Sequence, residues 1–117
     1  ILLLTGGISV GEYDFVKKCL DAQSVDMLFY KVKQKPGKPL YVGKKGSTMV
    51  FALPGNPGSV LHCFKHYVAP CIRHMRGESS FFPEPTPLIL KENIQKKAGL
   101  TTFIKAKVEN NLLTVLE

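Results

Sequence analysis

The chain has 117 residues, of which 44% are hydrophobic and 21% charged. That balance is usual for a folded soluble domain and excludes a disordered tail. The opening apolar run, Ile1 to Leu4, is too short to span a bilayer, and no basic region precedes it as in a signal peptide. The net charge of +7 is uneven: Met27 to Gly77 holds nine Lys and Arg and no carboxylate, a net +9, while the rest holds seven bases against nine acids, a net −2. A local field of that sign attracts phosphates and oxyanions. Three cysteines, Cys19, Cys63 and Cys71, make an odd set without metal-ligand spacing, so reduced thiols in a cytoplasmic protein are expected in place of a disulfide scaffold or a zinc module.

In chain order, Ile1–Thr5 reads as a central strand of a parallel sheet, buried on both faces. The loop Gly6-Gly7-Ile8-Ser9-Val10-Gly11 follows, then a helix over about Tyr13–Ala22. A strand is predicted at Met27–Val32, and a basic turn through Pro36-Gly37 leads to two short strands near Leu40–Val42 and Met49–Ala52, joined by Gly43-Lys44-Lys45-Gly46. Leu53-Pro54-Gly55-Asn56 launches a long helix, with Asn56 as N-cap, Pro57 at the first helical position and Gly77 as the stop. Val60, Leu61, Phe64, Val68, Cys71, Ile72 and Met75 recur at helical spacing, and Pro70 is expected to kink the helix. Residues 78–87 are Pro-rich and read as a linker. Beyond them Leu88–Leu90, Phe103–Val108 and Leu112–Leu116 look like strands, with Asn110-Asn111 as a turn. Both ends fall inside strand-like stretches, so an excerpt of a longer protein is expected.

Five features bear on chemistry. The Gly6-Gly7 loop, between a strand and a helix, either is a tight turn or holds a phosphate on free amides. Its spacing matches neither the dinucleotide fingerprint nor the P-loop. Glu12 and Asp14 next to it either cap the helix through its dipole or bind Mg²⁺ beside that phosphate. Lys31, Lys33 and Lys35 are expected on one face of a strand, with Lys38 set beside them by the Pro-Gly turn. They form either a lysine-guarded edge or a groove for phosphate or molybdate. No aromatic residues interleave these lysines, so nucleic acid is not expected. Leu53 to Ser59 is either a well-capped helix start or a second anion site, with Ser59 as a hydroxyl ligand. His62 and His66 have the i, i+4 spacing of a metal pair but lack a third ligand.

Taken jointly, T-G-G-I-S-V-G-E-Y-D-F-V-K, K-V-K-Q-K-P-G-K-P and L-P-G-N-P-G-S-V resemble the MoeA family of molybdopterin molybdenumtransferases, to which the gephyrin E domain is similar. The resemblance implies an α/β fold. Residues 1–77 would be the C-terminal part of a MogA-like three-layer domain, 78–87 the linker, and 88–117 the first strands of a small β-barrel domain. It implies molybdenum cofactor biosynthesis: a transferase that takes adenylylated molybdopterin and molybdate with Mg²⁺, inserts the metal at the dithiolene and releases AMP. By position, the catalytic residues would be Asp14, Lys31 and Lys35. Gly6, Gly7, Ser9, Gly11, Lys38, Pro54, Gly55, Asn56, Pro57 and Ser59 would hold the cofactor, and Asp14 would hold Mg²⁺. A cytoplasmic homodimer with no nucleic-acid or membrane partner is implied, as is an inactive excised chain. The alternatives are a scaffold role like that of gephyrin and a MogA-like or CinA-like ligand-binding domain without metal insertion.

Overall fold

A computed structural model describes residues 1–8, 15–96 and 98–116. Strand β1 (Leu2–Thr5) is followed by helix α1 (Phe15–Ala22), then β2 (Asp26–Tyr30), the two-residue β3 (Gln34–Lys35), β4 (Tyr41–Lys45) and β5 (Thr48–Leu53). Helix α2 (Pro57–Cys63) runs through a π-helical turn (Phe64–Val68) into α3 (Ala69–Met75). The short strands β6 (Ile89–Leu90), β7 (Thr101–Thr102), β8 (Ala106–Glu109) and β9 (Leu112–Val115) complete the chain.

The main sheet has the order β1-β5-β4-β2, with β1 parallel to β5 and the other pairings antiparallel. β4 and β5 form a hairpin in which Lys45 pairs with Thr48, leaving Gly46-Ser47 as the loop. Gly46 has φ +56, the left-handed value that tight hairpins need at a central position. Side chains alternate across the sheet, as a period of two requires. Tyr41, Val50 and Ala52 bury one face with Ile8, Leu20 and Val25, and Val16 of α1 packs against them. Val42, Phe51 and Leu53 bury the other face with Leu40, Cys63 and Val68. One sheet between two helical layers is the α/β architecture expected. Each fully buried Leu, Phe or Val in these layers contributes roughly 1.5–3 kcal/mol of transfer free energy.

Two expectations are corrected, and the surroundings of Pro70 are made specific. β1 is an edge strand among the described residues: it pairs with β5 alone, and Leu2 and Leu3 remain 44% and 40% exposed. The lysine row does not stand on one strand, because β2 ends at Tyr30 and Lys31 has φ +62, which breaks the extended repeat before Lys33. Pro70 sits in the first turn of α3, directly after the π-helical turn, where the Ala69 amide reaches back to the Phe64 carbonyl. That wider turn makes room for a ring that would clash with a carbonyl in a continuous α-helix, and it absorbs the missing donor.

The C-terminal strands build two small sheets. β6, β9 and β8 form one, with β8 and β9 joined by Asn110-Asn111 at φ 49 and 62, a turn read correctly from the sequence. β7 pairs in parallel with β3, placing Gln34 opposite Thr101 and Lys35 opposite Thr102. This pairing joins residues near 100 to the basic turn.

Candidate functional site

Helix α2 lies between the two other motifs, which meet it at opposite ends. On one side, Gly6 at the end of β1 donates its amide to the Leu53 carbonyl at 3.0 Å. A Cβ placed on Gly55 would lie 3.5 Å from the Gly6 Cα. Gly6 and Gly7 have φ 84 and 66, so the backbone turns through a region that side chains disfavour, and the Val16 amide closes the loop onto α1 through the Gly7 carbonyl at 3.2 Å. On the other side, Gly37 has φ +83 and presses on α2: a Cβ there would lie 2.5 Å from Cys63 Sγ and 3.6 Å from the His62 ring. Gly6 and Gly7, beside Pro54 and Gly55, therefore meet the start of α2 at Asn56, Pro57 and Ser59, while the Pro36-Gly37 turn, flanked by Lys35 and Lys38, meets the far end of the same helix at His62 and Cys63. Ser9, Gly11, Glu12 and Asp14 lie outside the described residues.

Asn56 caps α2, its side-chain oxygen accepting from the Gly58 amide at 3.0 Å and the Ser59 amide at 3.3 Å. These two donors are thus satisfied within the chain, which favours the capping reading of this turn over a vacant anion site. Replacing Asn56 by Ala is expected to cost about 1 kcal/mol, the usual value of an N-cap, measurable as a lower urea midpoint with an unchanged slope.

The cations are disposed unequally. Lys31 lies with its ammonium 5.0 Å from the centre of the Tyr30 ring, whose hydroxyl donates to the Ile8 carbonyl at 2.9 Å, so it is held on the glycine-loop side. Lys35 and Lys38 are exposed, and among the described residues neither pairs with a carboxylate. Beside them opens a cleft of about 320 Å³, lined by Pro36 and Gly58 from the two motifs, by Lys65 and His66 from the helix, and by Phe103 and Lys105 from beyond β7. Gly58 lies close beneath Lys105: its Cβ position would be 3.9 Å from the lysine Nζ. Among the described residues the lining carries no Asp or Glu, so its formal charges, on Lys65 and Lys105, are positive.

Sequence reasoning did not place Lys65, Phe103 or Lys105 here. Their assembly depends on the β3–β7 pairing across more than sixty residues, for which no local signal exists. It also weighed His62 and His66 as metal ligands, whereas the structure makes them ring partners. The His62 ring lies 4.5 Å from that of His66 and 4.2 Å from Phe103, with His66 4.8 Å from Phe103. Among the described residues no group of three or more His, Cys, Asp or Glu could hold a metal ion. Burial lowers the His62 pKa, His66 adds to the lowering, and His62 Nε2 is buried with no hydrogen-bond partner among the described residues. A histidine depressed in the folded state resists a proton that the unfolded chain accepts near pH 6.5. Its contribution to stability is therefore present above that pH and is lost as pH falls from there through the lower folded value. Urea midpoints at pH 7 and pH 5 should show the loss, and His62→Gln should make it smaller.

Residues 1–74 match the sequence family described as the probable molybdopterin binding domain. The chain belongs to that family. Over 107 residues it is 35% identical to the molybdopterin molybdenumtransferase of Staphylococcus aureus strain Mu50, a stretch that is 92% of this chain and 26% of that protein. The corresponding Staphylococcus epidermidis protein is 31% identical over the same length. The chain thus spans about a quarter of the curated relatives it matches. Among solved structures, a molybdopterin biosynthesis MoeA protein from Pyrococcus horikoshii aligns with all of this chain and 28% of its own, at a TM-score of 0.78 and 21% identity. A second structure of a MoeA protein from Pyrococcus horikoshii OT3 aligns at 0.69 with 30% identity, over 81% of this chain and 24% of its own. The molybdopterin-binding family is thus carried by the same residues that gather the glycine loop, the basic turn and the helix start. No helix among the described residues is long and apolar enough to cross a membrane.

Proposed function

We propose that the protein carrying this chain is a molybdopterin molybdenumtransferase of molybdenum cofactor biosynthesis. It would take adenylylated molybdopterin and molybdate, insert the metal at the dithiolene and release AMP. The observation that carries this reading is the convergence of Pro36 of the basic turn and Gly58 of the helix start on one cleft that holds Lys65 and Lys105 and, among the described residues, no carboxylate. All the reactants named are anions, and each ammonium within about 4 Å of one gains roughly 4 kcal/mol of attraction at the dielectric of a protein surface. Lys35 and Lys38 serve as point charges on phosphate or molybdate, and Lys31 acts from the glycine-loop side. Gly6, Gly7, Pro54 and Gly55 bring the end of β1 against the helix start by letting backbone meet backbone, while Asn56, Pro57 and Ser59 hold that start in place.

Mg²⁺ finds no ready-made site among the described residues, and the stretch from Met27 to Gly77 offers it no carboxylate. Asp14 would serve as its ligand, with Ser9 and Gly11 beside the phosphate, as part of this proposal. The division into 1–77, 78–87 and 88–117, a homodimer in the cytoplasm, and inactivity of the chain when excised belong to it as well. The test incubates the full-length protein with adenylylated molybdopterin, Mg²⁺ and molybdate and follows AMP. Release that depends on molybdate supports the reading. AMP no faster than without protein overturns it and favours a ligand-binding or scaffold role.

A further inference from the structure

Beneath the basic turn lies a buried polar cluster that neither the fold nor the charge of the site requires. Gln34 is only 4% exposed. Burying an amide is costly unless both its ends are bonded, and here both are. Its Nε2 donates to the Gly37 carbonyl at 3.2 Å and lies 3.8 Å from Cys63 Sγ. Its Oε1 accepts from the Tyr67 hydroxyl. The Cys63 thiol approaches the same Gly37 carbonyl at 3.8 Å, so two donors meet on one acceptor at the tip of the turn.

Tyr67 is delivered by the π-helical turn. Burial raises its pKa, as it raises that of Cys63 to about 11, so both groups stay protonated donors at neutral pH. The turn is also tied along its backbone, where the Val32 amide donates to Lys38 O at 3.0 Å and Phe103 donates to Lys35 O at 2.8 Å.

We propose that Gln34, Tyr67 and Cys63 are positioning residues: they clamp the Gly37 carbonyl and thereby set where Lys35 and Lys38 present their ammonium groups to an anionic substrate. This rests on the reading that those lysines hold anions. An apolar side chain at position 34 would fill the same space and complete the core. What it could not do is donate to the Gly37 carbonyl and accept from Tyr67 at once, and so link the tip of the turn to the π-helical turn as well as to Cys63. The two lysines flank the clamped residues directly, and Pro36 between them forms part of the cleft wall, so a shift of the tip displaces charge and wall together.

The test is calorimetric titration of the full-length protein with molybdate alone, in four forms: unaltered, Gln34→Met, Lys35→Ala/Lys38→Ala, and all three changes together. Gln34→Met keeps the volume and removes both hydrogen bonds. It should weaken molybdate binding about tenfold in the unaltered background and less than twofold once the lysines are gone, because there is then nothing left to position. Tyr67→Phe, which removes one oxygen, should give the same pattern with a smaller loss and serves if Gln34→Met does not fold. Equal losses in both backgrounds would show a merely structural role and overturn the clamp, as would no loss from Gln34→Met or Tyr67→Phe. If the lysine double variant alone binds molybdate normally, the anion-holding role of the lysines fails first and the clamp falls with it.

Discussion

Gly37→Ala will destabilise the protein by about 3 kcal/mol, from roughly 1–2 kcal/mol for a Cβ in the left-handed region and a further 1–3 kcal/mol for overpacking. Gly37 has φ +83, and the added methyl would stand 2.5 Å from Cys63 Sγ and 3.1 Å from Gln34 Nε2. Neither neighbour is free to swing away. Cys63 is wholly buried in the layer between sheet and helix, and Gln34 is held at both ends. Cys63→Ala removes the atom in the way, at its own cost of about 1 kcal/mol for the small cavity left behind. The double variant Gly37→Ala/Cys63→Ala should therefore be more stable than the sum of the single losses predicts, with a coupling of roughly 1–2 kcal/mol, the size found for residues in contact. Urea denaturation of the four proteins measures this. Strictly additive losses would mean that the turn does not press on the helix, and the packing of the basic motif against α2 would have to be abandoned.

The same pair of residues shows what could be read in advance and what could not. Short-range rules located the turns and caps. Asn110-Asn111 adopts the paired positive φ that a two-residue hairpin loop needs, and Asn56 followed by Pro57 starts a helix because a side-chain oxygen and a ring without an N–H suit the first turn. The two short strands that become β4 and β5 were likewise visible as apolar runs broken by Gly43-Lys44-Lys45-Gly46, because a run and its break are properties of neighbours. Lys31 marks the limit of such reasoning. An alternating Lys-Val-Lys-Gln-Lys stretch invites the reading of one cationic strand face, yet tertiary pairing of Lys31 N with Leu40 O turns the chain at φ +62 and separates the first lysine from the others.

Long-range structure was hidden for a physical reason. β3 and β7 are each two residues long, too short for any periodic signal, and their pairing alone brings Phe103 to the histidine pair and Lys105 to the helix start. β1 has the composition of a buried strand, and composition does not say how many neighbours a strand has. Glycines were read as permissive. The structure shows that two of them are close-approach points, Gly55 beside Gly6 and Gly37 against Cys63, which no spacing rule distinguishes from ordinary turns.

On the proposed function, Lys35→Ala and Lys38→Ala should each lower kcat/KM for AMP release by the full-length protein about tenfold or more, and together by roughly a hundredfold or more, given about 1.5–3 kcal/mol for a hydrogen bond to a charged group. Both side chains are exposed, so their loss should leave the fold intact, and a change in melting temperature of more than a few degrees is not expected. Lys44→Ala is the control. It removes the same charge from the hairpin end of β4, where Lys44 pairs with Met49, at the end of the sheet away from the α2 start that follows Leu53. Its effect on kcat/KM should stay within about twofold at 0.1 M salt, where the screening length is about 10 Å. Salt separates a local contact from a general field: raising ionic strength should weaken the unaltered enzyme more steeply than the Lys35→Ala/Lys38→Ala variant, because the variant has fewer cations left to screen. Equal losses from Lys44→Ala and Lys38→Ala would reduce the basic turn to one part of a diffuse positive surface. A lysine pair that can be removed without loss of turnover would take the turn out of the site altogether.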